Sequence, residues 1–145
     1  MKVIDANLLL YAYNPRAAEH DAASRWLEEM LSGGEFVRFA WLTLRAFLRI
    51  STSARVFPQP LSSDEAVATV SSWLAQPAAS LIEPGERHWQ ILLHLIASGQ
   101  CAGPIVTDAA LAAITIEHGA RLCTTDRDFA RFPGLKWMNP LVSQP

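Results

Sequence analysis

Short apolar runs separated by stretches far too long for hairpins are what most constrain this chain. Lys2-Val3-Ile4 is apolar and β-branched and stops at Asp5, Phe36-Val37-Arg38-Phe39-Ala40 alternates like a strand, and a further apolar run lies between Gly119 and Thr124. The segments between them carry helical spacing, so one strand reaches the next by a crossover and the pairs are parallel. The pattern predicts an α/β fold: an α/β/α sandwich with a central parallel sheet of about four or five strands and helices on both faces. In such sheets ligands gather at the carboxyl ends of the strands. Asp5 and Asp126 both stand where a strand should end.

The connecting helices follow from caps and stops. The first should run from Asn7 to about Tyr13, closed by Asn14-Pro15, and the second from about Ala17 to Leu31, ended by Gly33-Gly34. Its apolar positions Ala22, Trp26, Leu27 and Met30 fall at helical spacing. A third helix should span Trp41 to Ser51, with Leu44, Phe47 and Leu48 inward and Arg45 and Arg49 outward at i, i+4. Further helices are expected over Glu65 to Leu74 and Glu86 to Ala97, with a short strand at Ser80-Leu81-Ile82 between them and a last one at Leu135 to Met138. An apolar groove formed by the first helices would suit a partner helix.

The chain has 145 residues, enough for one domain with a substantial core. Residues 1–140 read as that domain and 141–145 as a loose tail, with no internal repeat to divide them. A formal charge of −2 gives no electrostatic signature of nucleic-acid binding, although a bound divalent cation would reverse the local sign. Cys101 and Cys123 match no metal spacing and point to a reducing compartment. With no run approaching a membrane span and no apolar leader, the expectation is a cytoplasmic protein without membrane contact.

Four acids carry the chemical case: Asp5, Asp108, Asp126 and Asp128. Carboxylates held close together repel one another and stay ionised only beside a cation. Oxygen-only donors suit Mg²⁺, with Mn²⁺ an alternative, and such a site can hydrolyse a phosphodiester with water and no covalent intermediate. No Ser-His-Asp pattern, phosphate-cradling glycine loop or zinc spacing competes. Each acid also has a purely structural reading. Asp5 can cap the first helix, Asp108 can favour the positive end of a helix capped by Thr107, and Thr125-Asp126-Arg127-Asp128 matches a capping box. On that pattern Asp128 is the structural member and Asp126 the one free to face the site. Asn7 either orients Asp5 or closes a turn. Arg45 and Arg49 are candidate contacts to a phosphate backbone or simply a solvated helix face. The tryptophans read as packing residues, and the four histidines as surface or core-edge groups.

Taken in order, Val3-Ile4-Asp5-Ala6-Asn7, Phe47-Leu48-Arg49, Val106-Thr107-Asp108-Ala109 through Ile116-Glu117-His118-Gly119-Ala120, and Thr124-Thr125-Asp126-Arg127-Asp128-Phe129 with Phe132-Pro133-Gly134-Leu135 resemble the PIN domain, and more narrowly the VapC-type toxins of bacterial toxin–antitoxin pairs. The resemblance spans nearly the whole chain. It implies a Mg²⁺-dependent endoribonuclease, usually a homodimer, neutralised by a VapB-like antitoxin. It implies metal-binding and catalytic roles for Asp5, Asp108 and Asp126, with Asp128 as a helper ligand and Asn7 and Thr107 in support. One position departs from it. The family usually carries a Glu just ahead of the Phe-Leu-Arg segment, and here Ala46 stands in that place, with no acid between Glu35 and Asp64. A catalytically weakened RNA- or antitoxin-binding module on the same fold is therefore the alternative. A receiver-like signalling domain would need a mid-chain acceptor Asp, which this stretch lacks.

Overall fold

A computed structural model describes residues 1–142. The strands are β1 (Lys2–Ile4), β2 (Val37–Ala40), β3 (Ala79–Ile82), β4 (Arg121–Cys123) and β5 (Trp137–Met138). Between them lie α1 (Ala6–Ala12), α2 (His20–Ser32), α3 (Trp41–Ser51), α4 (Ser63–Leu74), α5 (His88–Gly99) and α6 (Ile105–Glu117), and a 3-10 helix spans Arg127–Arg131. All strand pairs are parallel, in the order β3-β2-β1-β4-β5, so the expected α/β/α sandwich is present with five strands. The chain builds outward from β1 on one side through β2 to β3, then returns to the other side with β4. That reversal leaves a crevice beyond the carboxyl ends of β1 and β4.

The sheet is buried because alternate side chains enter opposite cores. Val3 and Leu122 face the α5–α6 side, with Leu95, Leu111, Ile114, Phe129 and Phe132. Ile4 and Cys123 face the α1–α4 side, with Leu8, Leu9, Phe39, Leu44, Phe47 and Trp73. The second core centres on Trp73: Phe39 stacks on it at 5.7 Å with an interplanar angle of 6°, and Phe47 meets it edge-on at 4.7 Å. The indole N–H donates to Tyr13 Oη at 3.3 Å, so this buried polar group is not left orphaned.

Two local devices fix helix positions. Ser62 and Glu65 form a capping box at the start of α4. The Glu117 carboxylate, at the end of α6, accepts from the backbone N–H groups of Gly85 at 2.7 Å and Arg87 at 2.9 Å, tying the entrance of α5 to the far end of α6. A side chain at position 85 would collide with that carboxylate at 2.6 Å, which explains the glycine.

Several boundaries differ from the sequence expectation. α2 begins at His20 rather than near Ala17, and its buried stripe is Ala23 and Leu27, with Ala22 exposed. Trp41 and Trp89 are exposed rather than packed, the latter at 63%. Of the tail, Leu141 is partly buried against the Trp73 core, while residues 143–145 lie outside the described residues.

Replacing Trp73 with Ala removes the ring on which three aromatic neighbours pack. A loss of roughly 3–5 kcal/mol in denaturant unfolding is expected, against less than about 1 kcal/mol for the exposed Trp89→Ala.

Candidate active site

Asp5 leaves β1 directly into α1, and its backbone N–H still bonds to Cys123 O on β4 at 3.0 Å, so the two strand ends are locked in register. One residue beyond β4 lies Thr124, fully buried. Its hydroxyl donates to Asp5 Oδ2 at 2.7 Å and accepts from the Asp126 N–H at 3.0 Å and from Asn7 Nδ2 at 3.4 Å. A single Oγ thus joins β1, α1 and the loop after β4. Asp5 Oδ1 accepts from the Ala6 N–H at 2.8 Å, so the structural reading of Asp5 as a cap holds alongside any chemical one. Sequence reasoning assigned Thr124 no role. A threonine after a strand looks like ordinary packing until the register of β1 on β4 brings it against an acid.

The capping part expected of Asp128 falls to Asp126. Asp126 is itself the cap of the 3-10 helix, its Oδ1 accepting from the Asp128 N–H at 2.8 Å, while Asp128 is exposed. The helix starts one residue later than a Thr125 capping box requires, and an Asx-type turn of two residues takes its place. Thr107 is likewise not a cap. α6 begins at Ile105 after Pro104, which already holds helical backbone angles, so Thr107 is an exposed residue inside the first turn. Asp108 in that same turn is partly buried. Asn7 does not contact Asp5 directly. It donates to Thr124, and its Oδ1 is buried without a partner.

The acids repel one another through a poorly hydrated site. Burial raises the Asp108 carboxyl to about 6, and the charges of Asp5, Asp126 and Asp128 add to the shift against a smaller opposing pull from Arg131. Asp5 is also raised, by burial first, with the bonds from Thr124 and Ala6 opposing and the Asp126 charge adding. Asp108 therefore lies in the field of the other three acids, and Asp5 in that of Asp126. On α3, Ala46 is half-buried and the helix offers no carboxylate; Thr43, one turn earlier, is buried with its hydroxyl unpartnered. Arg45 and Arg49 are exposed and pair with none of these acids among the described residues.

The donor set suits a hard divalent cation: all oxygen, short of positive charge, with the Asn7 carbonyl oxygen orphaned. Among the described residues no three His, Cys, Asp or Glu side chains already stand as a closed ligand cluster, so a cation would have to draw the carboxylates inward. Cys123, beside Thr124, contributes nothing ionic, because burial pushes its thiol up to about 12.

A doubly faced parallel sheet with acids at its switch point is the architecture of a PIN domain, and a PIN domain profile matches residues 2–135. The chain belongs to the PIN-domain family, among its VapC-type members. It is 43% identical to Ribonuclease VapC37 of Mycobacterium tuberculosis over 140 residues, covering 97% of each chain. It is 41% identical to Ribonuclease VapC33 of the same species over 141 residues, covering 97% of this chain and 99% of the relative. Its fold matches that of VapBC2 from Rickettsia felis, solved bound to a promoter DNA fragment, with a TM-score of 0.70 at 17% identity over 95% of this chain and 97% of that one. It also matches Mycobacterium tuberculosis VapC20, described as a sarcin–ricin loop cleaving toxin, with a TM-score of 0.65 at 17% identity over 94% and 99% of the two chains.

Thr124→Val keeps the shape and deletes the hydroxyl, leaving Asp5 Oδ2 and the Asp126 N–H unpaired. It should cost about 1–3 kcal/mol of unfolding free energy, with Thr124→Ser restoring most of it. For Asp108, the folded-state value of about 6 lies above the ordinary 3.8. Its favourable contribution is therefore complete below about pH 3.8 and lost as pH rises through about 6. In metal-free protein Asp108→Asn should raise the melting temperature at pH 7.5 by roughly 2–4 °C, on the order of 1 kcal/mol after allowing for solvent screening. The gain should vanish near pH 4.

Proposed function

We propose that this protein is a metal-dependent endoribonuclease, the toxin of a VapBC-type toxin–antitoxin module, cutting RNA phosphodiesters by attack of water to leave a 5′-phosphate and a 3′-hydroxyl. The observation that carries the reading is the buried Thr124 hydroxyl shared by Asp5 and the Asp126 N–H at the sheet's switch point, with Asp108 in the field of both acids. The VapC relatives named as ribonucleases support it.

Asp5, Asp108 and Asp126 would hold Mg²⁺ (or Mn²⁺), with Asp128 joining from the solvent side and the Asn7 carbonyl oxygen in reserve. When bound, the cation supplies Lewis acidity toward water and phosphate and neutralises charge on the leaving oxygen. The protein's own part is positioning. Thr124 and the Ala6 N–H each occupy one Asp5 oxygen, fixing the carboxylate plane so that its remaining lone pairs face one direction. The cap bond from the Asp128 N–H does the same for Asp126. Burial and like charge raise the Asp108 carboxyl to about 6, so bound positive charge there would favour its ionised form.

The protein acts in the cytoplasm as a homodimer, without membrane contact, and is held inactive by a VapB-like antitoxin. A groove of about 480 Å³ between α1, α2 and α4, lined by Tyr13, Leu27, Leu31 and Trp73, supports a helical antitoxin segment as the occupant. A second reading rests on Ala46: with no acid on α3 the protein binds RNA or antitoxin but turns over weakly.

Cleavage of a panel of structured RNAs in Mg²⁺ should cease with EDTA. It should also fall at least about 100-fold in Asp5→Asn and Asp108→Asn, the upper end of what losing a group that merely supports a ligand costs. Activity that survives both substitutions sinks the proposal. Binding without turnover, rescued by Ala46→Glu, selects the second reading.

A further inference from the structure

A ribonuclease whose chain carries a net charge of −2 and whose centre sets Asp108 in the field of three other acids has to offset the repulsion its substrate meets. Arginines suited to this are few. Arg45 and Arg49 lie on α3 and, among the described residues, pair with none of the four acids. Arg127 follows Asp126 in sequence, yet no shift of the site's acids traces to its charge. Arg131 differs. It ends the 3-10 helix between Phe129 and Phe132, both buried in the α5–α6 core, so its backbone is anchored on either side. Its Cδ lies 3.4 Å from the position a Cβ would occupy at Gly99, and its Nη1 reaches the Gly99 carbonyl at a long 3.4 Å. Gly99 ends α5, and the connection from it leads through Pro104 directly into the turn bearing Asp108. Phe129 and Phe132, which flank it, pack in the same core as Ala109, the residue after Asp108, so the 3-10 helix sets Arg131 on the Asp108 side of the sheet, where its charge opposes the rise of the Asp108 carboxyl. Among the described residues it pairs with no carboxylate within ion-pair distance, and its side chain is exposed. Most of its donors are thus unused, presented beside the acids and pre-set by one carbonyl.

Resting on the ribonuclease reading above, we propose that the Arg131 guanidinium grips a phosphate of the RNA strand beside Asp108, holding the backbone in register with the acidic site. A planar fork of N–H donors matches two phosphate oxygens, which a lysine ammonium cannot do in the same geometry. No bond is made or broken by this contact; it supplies affinity and alignment.

The test uses the full-length protein with Arg131→Gln, Arg131→Lys and Arg127→Gln. Affinity for a fluorescent single-stranded RNA is measured in the inactive Asp5→Asn background across a KCl series, and cleavage kinetics are measured with Asp5 intact. Arg131→Gln should weaken binding by about 10-fold or more, raise KM more than it lowers kcat, and reduce the slope of log affinity against log salt by about 0.7. Arg131→Lys should keep the slope and recover part of the affinity, while Arg127→Gln should match the parent. A merely structural tie to Gly99 would lower the melting temperature and leave the salt slope alone, and that result overturns the inference. So does wild-type cleavage with Arg131→Gln unchanged in affinity and slope. A wild-type protein that neither binds nor cuts RNA overturns the ribonuclease reading, and this one with it.

Discussion

The parallel pairing of β1 with β4 is the contact on which the rest of this molecule depends. It joins residues separated by most of the chain, with Lys2 opposite Arg121, Val3 opposite Leu122 and Ile4 opposite Cys123. Because strand side chains alternate, that register sends Val3 and Leu122 into one core and Ile4 and Cys123 into the other, so a slip of one residue would exchange both faces. The same register sets Thr124 against Asp5. Core packing and active-site geometry are thus decided by a single alignment.

Much of this was legible beforehand. The α/β/α class, the parallel sheet, the extent of α3 and the candidates Asp5, Asp108 and Asp126 all follow from periodicity, strand ends and the resemblance to PIN domains. What stayed hidden has a common physical character. Thr124 matters through a hydrogen bond across 119 positions, and no local pattern encodes that. The cap falls to Asp126 rather than Asp128 because a 3-10 turn and an α-helix share capping residues but differ in where the first free N–H falls. Thr107 was misplaced as a cap because Pro104 can open a helix without any side-chain acceptor. Trp41 and Trp89 are exposed because a tryptophan's hydrophobicity does not say which side of its helix meets the core.

The site combines rigidity with stored repulsion. Thr124, Ala6 and the Asp128 N–H hold the Asp5 and Asp126 carboxylates in place, while burial and like charge work against the ionisation of Asp5 and Asp108. Functional centres commonly depart from what is locally most stable, and here the surrounding cores absorb the tension. Trp73 and its aromatic neighbours brace one face, and the Glu117 clamp fixes the end of α6 remote from Asp108.

The pairing of the first strand with the fourth also has a temporal meaning. During synthesis β1 emerges first, with Asp5 at its end, but its neighbour on one side is not made until Arg121–Cys123 follow. Until then Asp5 has neither the hydroxyl of Thr124 nor the charge of Asp126 beside it. Nascent chains and fragments released before β4 would therefore carry Asp5 without Thr124 and Asp126, the two groups joined to it across the sheet. Translation has to run through most of the message before a potentially harmful product exists.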